Sequence, residues 1–217
     1  MLVIAINMIH KIIKYSKNSI RLLKQSLENG NIIAVPTDTV YGLIADAYNE
    51  KAVNKIFRTK LRPKKLPLII FVSSIKEAKK IGHFSKYDEL LANAFWPGDL
   101  TLIVKKKSNK IFYGHKSSTT VGIRIPNHKA LLNLLVETKK PFASTSANSH
   151  KGKTPRNIDE LDIISNKEIA YALISNHKIT GTESTIVSMI NDKINILRPG
   201  RISKPMIEAQ IKNLQRH

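Results

Sequence analysis

The chain has 217 residues, 42% of them hydrophobic, which suits one well-formed core and a single domain over 1–217. It has no cysteine, which excludes disulfides, a thiolate nucleophile and Cys-based metal sites and fits a reducing compartment. Lys and Arg number 36 against 16 Asp and Glu, a formal charge of +20, so polyanionic partners (nucleotides, RNA, DNA, anionic lipid) are favoured, with a general Lys bias accounting for part of the excess.

The opening Met1–Ile9 is apolar apart from Asn7. It falls short of the roughly 20 apolar residues of a membrane span and lacks the pattern of a secretory signal. A first strand, or initiation at Met8, is the expectation. No later run has membrane length, which leads to a soluble, cytoplasmic chain. Ser19 to Asn29 reads as an amphipathic helix with Ile20, Leu23 and Leu27 on one face, stopped by Gly30. Strand Ile32–Val35 follows. Pro36-Thr37-Asp38-Thr39 then makes a hydroxyl-rich turn before the apolar Val40–Ala45. Such a turn either binds the ammonium or hydroxyl of a small ligand or is an ordinary Asx or ST turn.

Asn49 caps a helix to about Thr59. Lys60-Leu61-Arg62-Pro63-Lys64-Lys65-Leu66-Pro67-Leu68 puts four cations and two prolines in nine residues, directly before a strand at Leu68–Val72. Proline stiffness keeps this segment from continuing the helix. On an extended chain Lys60 and Arg62 would project to one side, as an anion requires. Ser74 and Ser85 look like caps of two more helices, the second ending at Phe95-Trp96-Pro97-Gly98, with the single Trp as a core anchor. Thr101–Val104 and Thr120–Pro126 read as strands separated by a polar loop, and Arg124 stands at a strand end. Asn127 caps an apolar helix to about Glu137.

Pro141–Asn148 is a short strand opening into Ser144-Thr145-Ser146-Ala147-Asn148, a cluster suited to phosphate or carboxylate recognition. Ala147-x4-Gly152-Lys153-Thr154 mimics a phosphate loop, but Ala replaces the first Gly and Pro155 follows, so a true Walker loop is rejected. Asn157 caps a short helix and Ala170–Ile174 forms a strand. Ile186–Ile190 and Ile194–Leu197 form a hairpin about Asn191-Asp192. A helix from Ser203 to about Leu214 closes the chain. The mixture of elements predicts an α/β domain on a mixed sheet.

Taken together, Pro36-Thr37-Asp38-Thr39-Val40-Tyr41-Gly42-Leu43, Lys60-x-Arg62-Pro63, Trp96-Pro97-Gly98, Arg124-Ile125-Pro126, Ser144-Thr145-Ser146-Ala147-Asn148, Ser184-Thr185-Ile186-Val187 and Arg198-Pro199-Gly200 resemble, in this order, the YrdC/Sua5 family of threonylcarbamoyl-AMP synthases. The resemblance runs from about Ser19 to Arg201. It implies a twisted mixed α/β sheet flanked by helices around a deep basic cavity, with 202–217 as a helical tail and the short, single-domain form of the family. It implies synthesis of threonylcarbamoyl-adenylate and pyrophosphate from L-threonine, bicarbonate and ATP, feeding N6-threonylcarbamoyladenosine at position 37 of tRNAs reading ANN codons. Proteins that transfer the group to tRNA would act downstream. No cofactor is held tightly and no metal site is built into the protein; Mg2+ comes with ATP.

Residue by residue, the resemblance puts Lys60 and Arg62 at the nucleotide phosphates as the catalytic pair. Thr120, Ser146, Asn148, Thr154 and Arg198 fall at ATP-contacting positions, and Thr39, Arg124, Ser144 and Ser184 at positions that hold threonine. The planar fork of Arg124 suits the threonine carboxylate. The chain departs from the family pattern at Phe71 (commonly His), Leu66 (commonly polar), Asp99 and Glu183 (commonly Pro) and Ser188 (commonly Asp). A non-catalytic module binding double-stranded RNA or tRNA is the rival reading from charge alone. A carbamoyl-phosphate-using relative would carry companion domains not seen in the sequence.

Overall fold

The computed structural model describes residues 12–107, 110–114, 118–149, 152–164, 166–174 and 179–214; the strand expected at Met1–Ile9 lies outside them. The elements run β1 (Ile12–Lys14), α1 (Lys17–Glu28), β2 (Ile32–Pro36), β3 (Tyr41–Asp46), α2 (Glu50–Thr59), β4 (Ile69–Phe71), α3 (Ile75–Ile81), β5 (Gly82–His83), α4 (Lys86–Phe95), β6 (Leu100–Lys106), β7 (Thr120–Arg124), α5 (Lys129–Thr138), β8 (Phe142–Ser146), β9 (Ile169–Ile174), β10 (Thr185–Ser188), β11 (Asn195–Arg198) and α6 (Lys204–Leu214). All the strands join one mixed sheet in the order β1-β9-β2-β3-β8-β4-β7-β6-β10-β11, with β5 on the flank of β6. Neighbours such as β2/β9, β4/β7 and β6/β10 are parallel, whereas β2/β3, β3/β8, β4/β8 and β6/β7 are antiparallel.

The two-residue pleat divides the side chains between two cores. Ile32 and Ala34 of β2, Leu43 and Ala45 of β3 and Ile70 of β4 pack with residues of α2, α3, α4 and α6. Ile33 and Val35, Ile44, Phe71 and Phe142 face the other way, against Leu23 and Leu27 of α1 and Leu131, Leu134 and Leu135 of α5. Burying each such side chain stabilises the fold by about 1.5–3 kcal/mol. One face of the sheet is thus served by four helices and the other by two, and the less covered face carries the site.

Helix starts follow the expected chemistry. Asn49, Ser74 and Ser85 each accept a backbone N–H of the first turn. Trp96 is buried, donates from Nε1 to the Leu100 carbonyl at 2.7 Å and lies edge-on to Phe84. Asn191 and Asp192 both take positive φ, as a tight turn between β10 and β11 demands.

Several local expectations are corrected. The helix expected from Ser19 begins two residues earlier, at Lys17; Ser16 caps it, and Ser19 completes the reciprocal capping box from the third helical position. Before α5 the cap position belongs to His128, whose buried ring packs inward, while Asn127 stays exposed outside the helix. No helix follows Asn157. Its Oδ1 does accept the Glu160 amide at 3.1 Å, but the chain then makes short i→i+3 turns, and Asp162 is drawn back to Ser149. Lys60 and Arg62 are not on extended chain. Lys60 ends α2 in helical conformation and Leu61 turns at φ 50°. The Leu61 amide then returns to Arg58 O and the Arg62 amide to Phe57 O. This double return is a Schellman stop, with Leu61 in the place glycine usually takes.

Candidate active site

A cavity of about 220 Å³ opens on the face of the sheet served only by α1 and α5. The register explains its lining. Gly42 pairs with Ser146, Ile44 and Ile69 with Ser144, Phe71 with Arg124, and Ile186 with both Thr101 and Arg198. Cross-strand partners point to the same face, so Ser144, Ser146, Phe71, Arg124, Ile186 and Arg198 converge. Gly42 keeps the floor open: a Cβ there would sit 3.3 Å from both Ser144 Oγ and the Thr145 carbonyl.

Thr37 organises the turn beneath the cavity. Its Oγ1 donates to the Val40 carbonyl at 2.6 Å and accepts the amides of Thr39 and Val40. With its one proton used, Thr37 Oγ1 must accept the Thr39 hydroxyl, 2.9 Å away. Thr39 Oγ1 is left to accept Arg124 Nη1 at 2.9 Å. Arg124 Nη2 donates to Asp38 Oδ1 at 2.7 Å and its Nε to the Gly98 carbonyl at 2.8 Å. The segment is thus an ST turn, satisfied within itself, and it fixes the arginine fork through Thr39 and Asp38. Phe71 lies against that fork, ring centroid 5.9 Å from the guanidinium carbon.

Behind Arg124, Asp38 and Asp99 approach each other. Burial pushes the Asp99 carboxyl up, and the neighbouring Asp38 adds to this, against the pull of Arg124 and Arg201. Arg201 Nη1 bonds Asp99 Oδ2 at 3.1 Å. Asp99, noted only as a departure from the family pattern, is thus a link between the turn after Trp96 and the chain beyond β11.

On the opposite wall Ser184 Oγ meets Thr101 Oγ1 at 2.8 Å. Arg198 wraps the same residue, donating from Nε and Nη2 to the Ser184 carbonyl at 3.1 and 2.9 Å. Its Nη1 pairs with Glu183 Oε2 at 2.6 Å. Arg62 lines the mouth, with Nε on the Leu66 carbonyl and Nη2 on that of Pro67. Lys60 is buried behind Ser146, donating to the Ser146 carbonyl and to Asn148 Oδ1, the latter at 2.8 Å. Burial pushes the Lys60 ammonium down to about 8, with Arg62 adding to the shift and Glu183 and Asp162 opposing it. Arg62 and Arg198 are lowered as well, first by burial.

Of the residues singled out in the sequence, Thr39, Arg62, Arg124, Ser144, Ser146, Ser184 and Arg198 line the cavity. Lys60 and Asn148 join it through the Ser146 edge. Thr120 and Thr154 do not line it. Thr120 opens β7, where its carbonyl accepts Tyr113 Oη, and Thr154 lies just past the Gly152 turn. Directly after Thr154 the chain runs through Pro155 into bends and turns rather than a helix. Glu183 lines the cavity without having been given a role; its signal in the sequence was a carboxylate next to Ser184 where the family commonly has Pro. Among the described residues no group of three or more His, Asp or Glu could hold a metal, and no helix is long and apolar enough to cross a membrane.

The family model of the Sua5/YciO/YrdC domain, described as "Telomere recombination", matches residues 25–200. The chain belongs to the Sua5/YciO/YrdC family. Among its curated relatives, the threonylcarbamoyl-AMP synthase of Bacillus subtilis is 36% identical over 190 residues, covering 85% of this chain and 54% of the relative. That of Pyrococcus abyssi is 32% identical over 201 residues, covering 91% and 58%. The chain therefore spans about half the length of these two relatives. Among solved members of the Sua5/YciO/YrdC family, P. abyssi Sua5 complexed with L-threonine superposes with a TM-score of 0.84 at 30% identity, over 93% of this chain and 60% of that one. Escherichia coli YciO shares the fold, with a TM-score of 0.77 at 20% identity over 90% of this chain and 98% of that one.

Proposed function

We propose that this chain is a threonylcarbamoyl-AMP synthase, a nucleotidyltransferase acting on L-threonine, bicarbonate and ATP. The observation that carries the reading is the convergence of three arginine side chains with hydroxyl-bearing residues, Thr39, Ser144, Ser146 and Ser184 among them, in one small cavity. The likeness to threonine-bound P. abyssi Sua5 supports threonine as its ligand.

Threonine's amine and bicarbonate give a carbamate with loss of water. A carbamate oxygen then attacks the α-phosphorus of ATP, a new O–P bond forms, and the bond to pyrophosphate breaks. Two anions must meet, and negative charge must be neutralised while pyrophosphate leaves. Positioning and electrostatics supply that catalysis without a covalent protein intermediate. Arg124, with three of its five N–H groups fixed by Asp38, Thr39 and Gly98, has two left for the threonine carboxylate. Ser144 and Ser184 offer hydroxyls to the amino acid. Lys60, Arg62 and Arg198 face the phosphates, and Mg2+ enters as part of the nucleotide substrate. The adenylate is consumed by proteins that modify adenosine 37 of tRNA. A cytoplasmic setting fits a chain without cysteine.

The test is pyrophosphate release from ATP and bicarbonate, with L-threonine, L-serine or no amino acid. Threonine-dependent release is the expected result. Release with both amino acids would assign loosened selectivity to Phe71. No release with any amino acid, in protein that retains RNA, would replace the synthase reading by the binding-module one.

A further inference from the structure

We propose that Glu183 is the amino-acid pocket's counter-charge, the group that receives the ammonium of the incoming substrate. This rests on the amino-acid reading of the cavity and adds a residue to it. Among the described residues Glu183 is the one carboxylate on the cavity wall, facing Arg62, Arg124 and Arg198. Its charge is felt by Lys60, Arg62 and Arg198 alike, so it lies central to the cations.

An amino acid enters as a zwitterion. Its carboxylate suits the two Arg124 N–H groups not taken by Asp38, Thr39 and the Gly98 carbonyl. Its ammonium would then stand in a cavity with three guanidinium groups, and Arg124 lies close enough to Arg198 to lower that residue's affinity for a proton. The hydroxyls of Thr39, Ser144 and Ser184 can accept a hydrogen bond, but they bring no charge to offset that repulsion. Glu183 does.

The existing partner of Glu183 does not block this role. Arg198 takes only Oε2, and among the described residues Oε1 has no bond of its own. The Glu183–Arg198 pair is part-exposed, with side chains 32% and 31% accessible, where ion pairs contribute little. Arg198 would not be set adrift if Glu183 turned toward a ligand, because Nε and Nη2 remain on the Ser184 carbonyl and Nη2 also on Ser184 Oγ. Glu183 can therefore exchange one cation for another while the wall behind it stays in place.

The experiment is calorimetric binding of L-threonine, of 3-hydroxybutyrate (the same skeleton without the amino group) and of inorganic pyrophosphate. The proteins are wild type, Glu183→Gln and Glu183→Asp. The amide of Glu183→Gln can still accept from Arg198, so the wall is kept while the charge is lost. The expected result has threonine bound about tenfold or more tightly than 3-hydroxybutyrate by wild type, a preference lost in Glu183→Gln and partly kept in Glu183→Asp. Pyrophosphate should bind Glu183→Gln at least as well as wild type, because a competing carboxylate has gone. Equal threonine affinity in wild type and Glu183→Gln would overturn the role of Glu183 and leave the amino-acid reading standing. Loss of all three ligands together in both variants would mean that Glu183 only shapes the wall, and would also overturn it. Wild type that binds pyrophosphate but neither organic acid would overturn the amino-acid reading and this proposal with it.

Discussion

Lys60 is an ammonium kept where its charge is disfavoured, with the Ser146 carbonyl and Asn148 Oδ1 as acceptors. A polyphosphate arriving at the cavity restores the charge it lacks, so binding should draw in a proton around the free-state pKa of about 8. The sign follows: below pH 8 Lys60 is already charged and nucleotide affinity is full; as pH climbs from about 8 toward 10 the affinity falls. Titration of ATP binding from pH 6.5 to 9.5 should show this fall, and Lys60→Met should bind weakly and without it. A pH-independent wild type would remove Lys60 from the phosphate site. Arg124 is different, because its fork is committed to the protein as well as to a ligand. Arg124→Ala would leave Asp38 buried without its partner, at a cost of about 3–5 kcal/mol, so Arg124→Lys is the better probe. It keeps the charge and loses the planar fork. The threonine KM should rise at least tenfold while that for ATP changes little, and an equal rise for both would contradict a threonine-specific role. That Arg124 faces a pocket was legible in its strand-end position. Its grip by Asp38 and the Gly98 carbonyl was not, because those partners are 86 and 26 residues away in the chain.

At the scale of elements, the stop of α2 decides where the basic pair lies. The helix ends because Leu61 takes φ 50°, which lets the amides of Leu61 and Arg62 close back on Arg58 and Phe57. For a side chain with a Cβ this conformation costs about 1–2 kcal/mol. Leu61 is 85% exposed, so its side chain contributes little packing in return. Leu61→Gly should therefore raise the melting temperature by roughly 2–4 °C without changing turnover. A lower melting temperature would mean that Leu61 packs on something its exposure does not reveal. Capped, amphipathic helices such as α2 and α4 were legible because cap and periodicity are local. Three-residue β1 was not, since it exists by pairing in parallel with β9 about 160 residues later. The helix expected after Asn157 fails for a related reason. Its cap forms, but Asp162 is claimed by Ser149, 13 residues earlier, a contact that neither cap nor periodicity signals.

The whole molecule presents two kinds of positive charge, and they should answer differently to salt. Much of the +20 excess is lysine, and lysines such as Lys105 and Lys107 are exposed. Arg124 and Lys60 are each only 3% accessible, and Arg62 and Arg198 share the cavity wall with Glu183. Charge on an open surface is screened within about 10 Å at 0.1 M salt, whereas charge in a partly closed cavity is screened much less. Double-stranded RNA, if it binds, must use the open surface, because a cavity of about 220 Å³ has no room for a duplex. Raising salt from 50 to 200 mM should then weaken RNA binding by more than tenfold through counterion release. Threonine-dependent pyrophosphate release at saturating ATP should fall by less than about twofold over the same range. Parallel loss of both would mean that the surface lysines, not the walls around Arg124 and Lys60, hold the nucleotide. Divergence would assign catalysis to the cavity and leave RNA retention to the solvated charge.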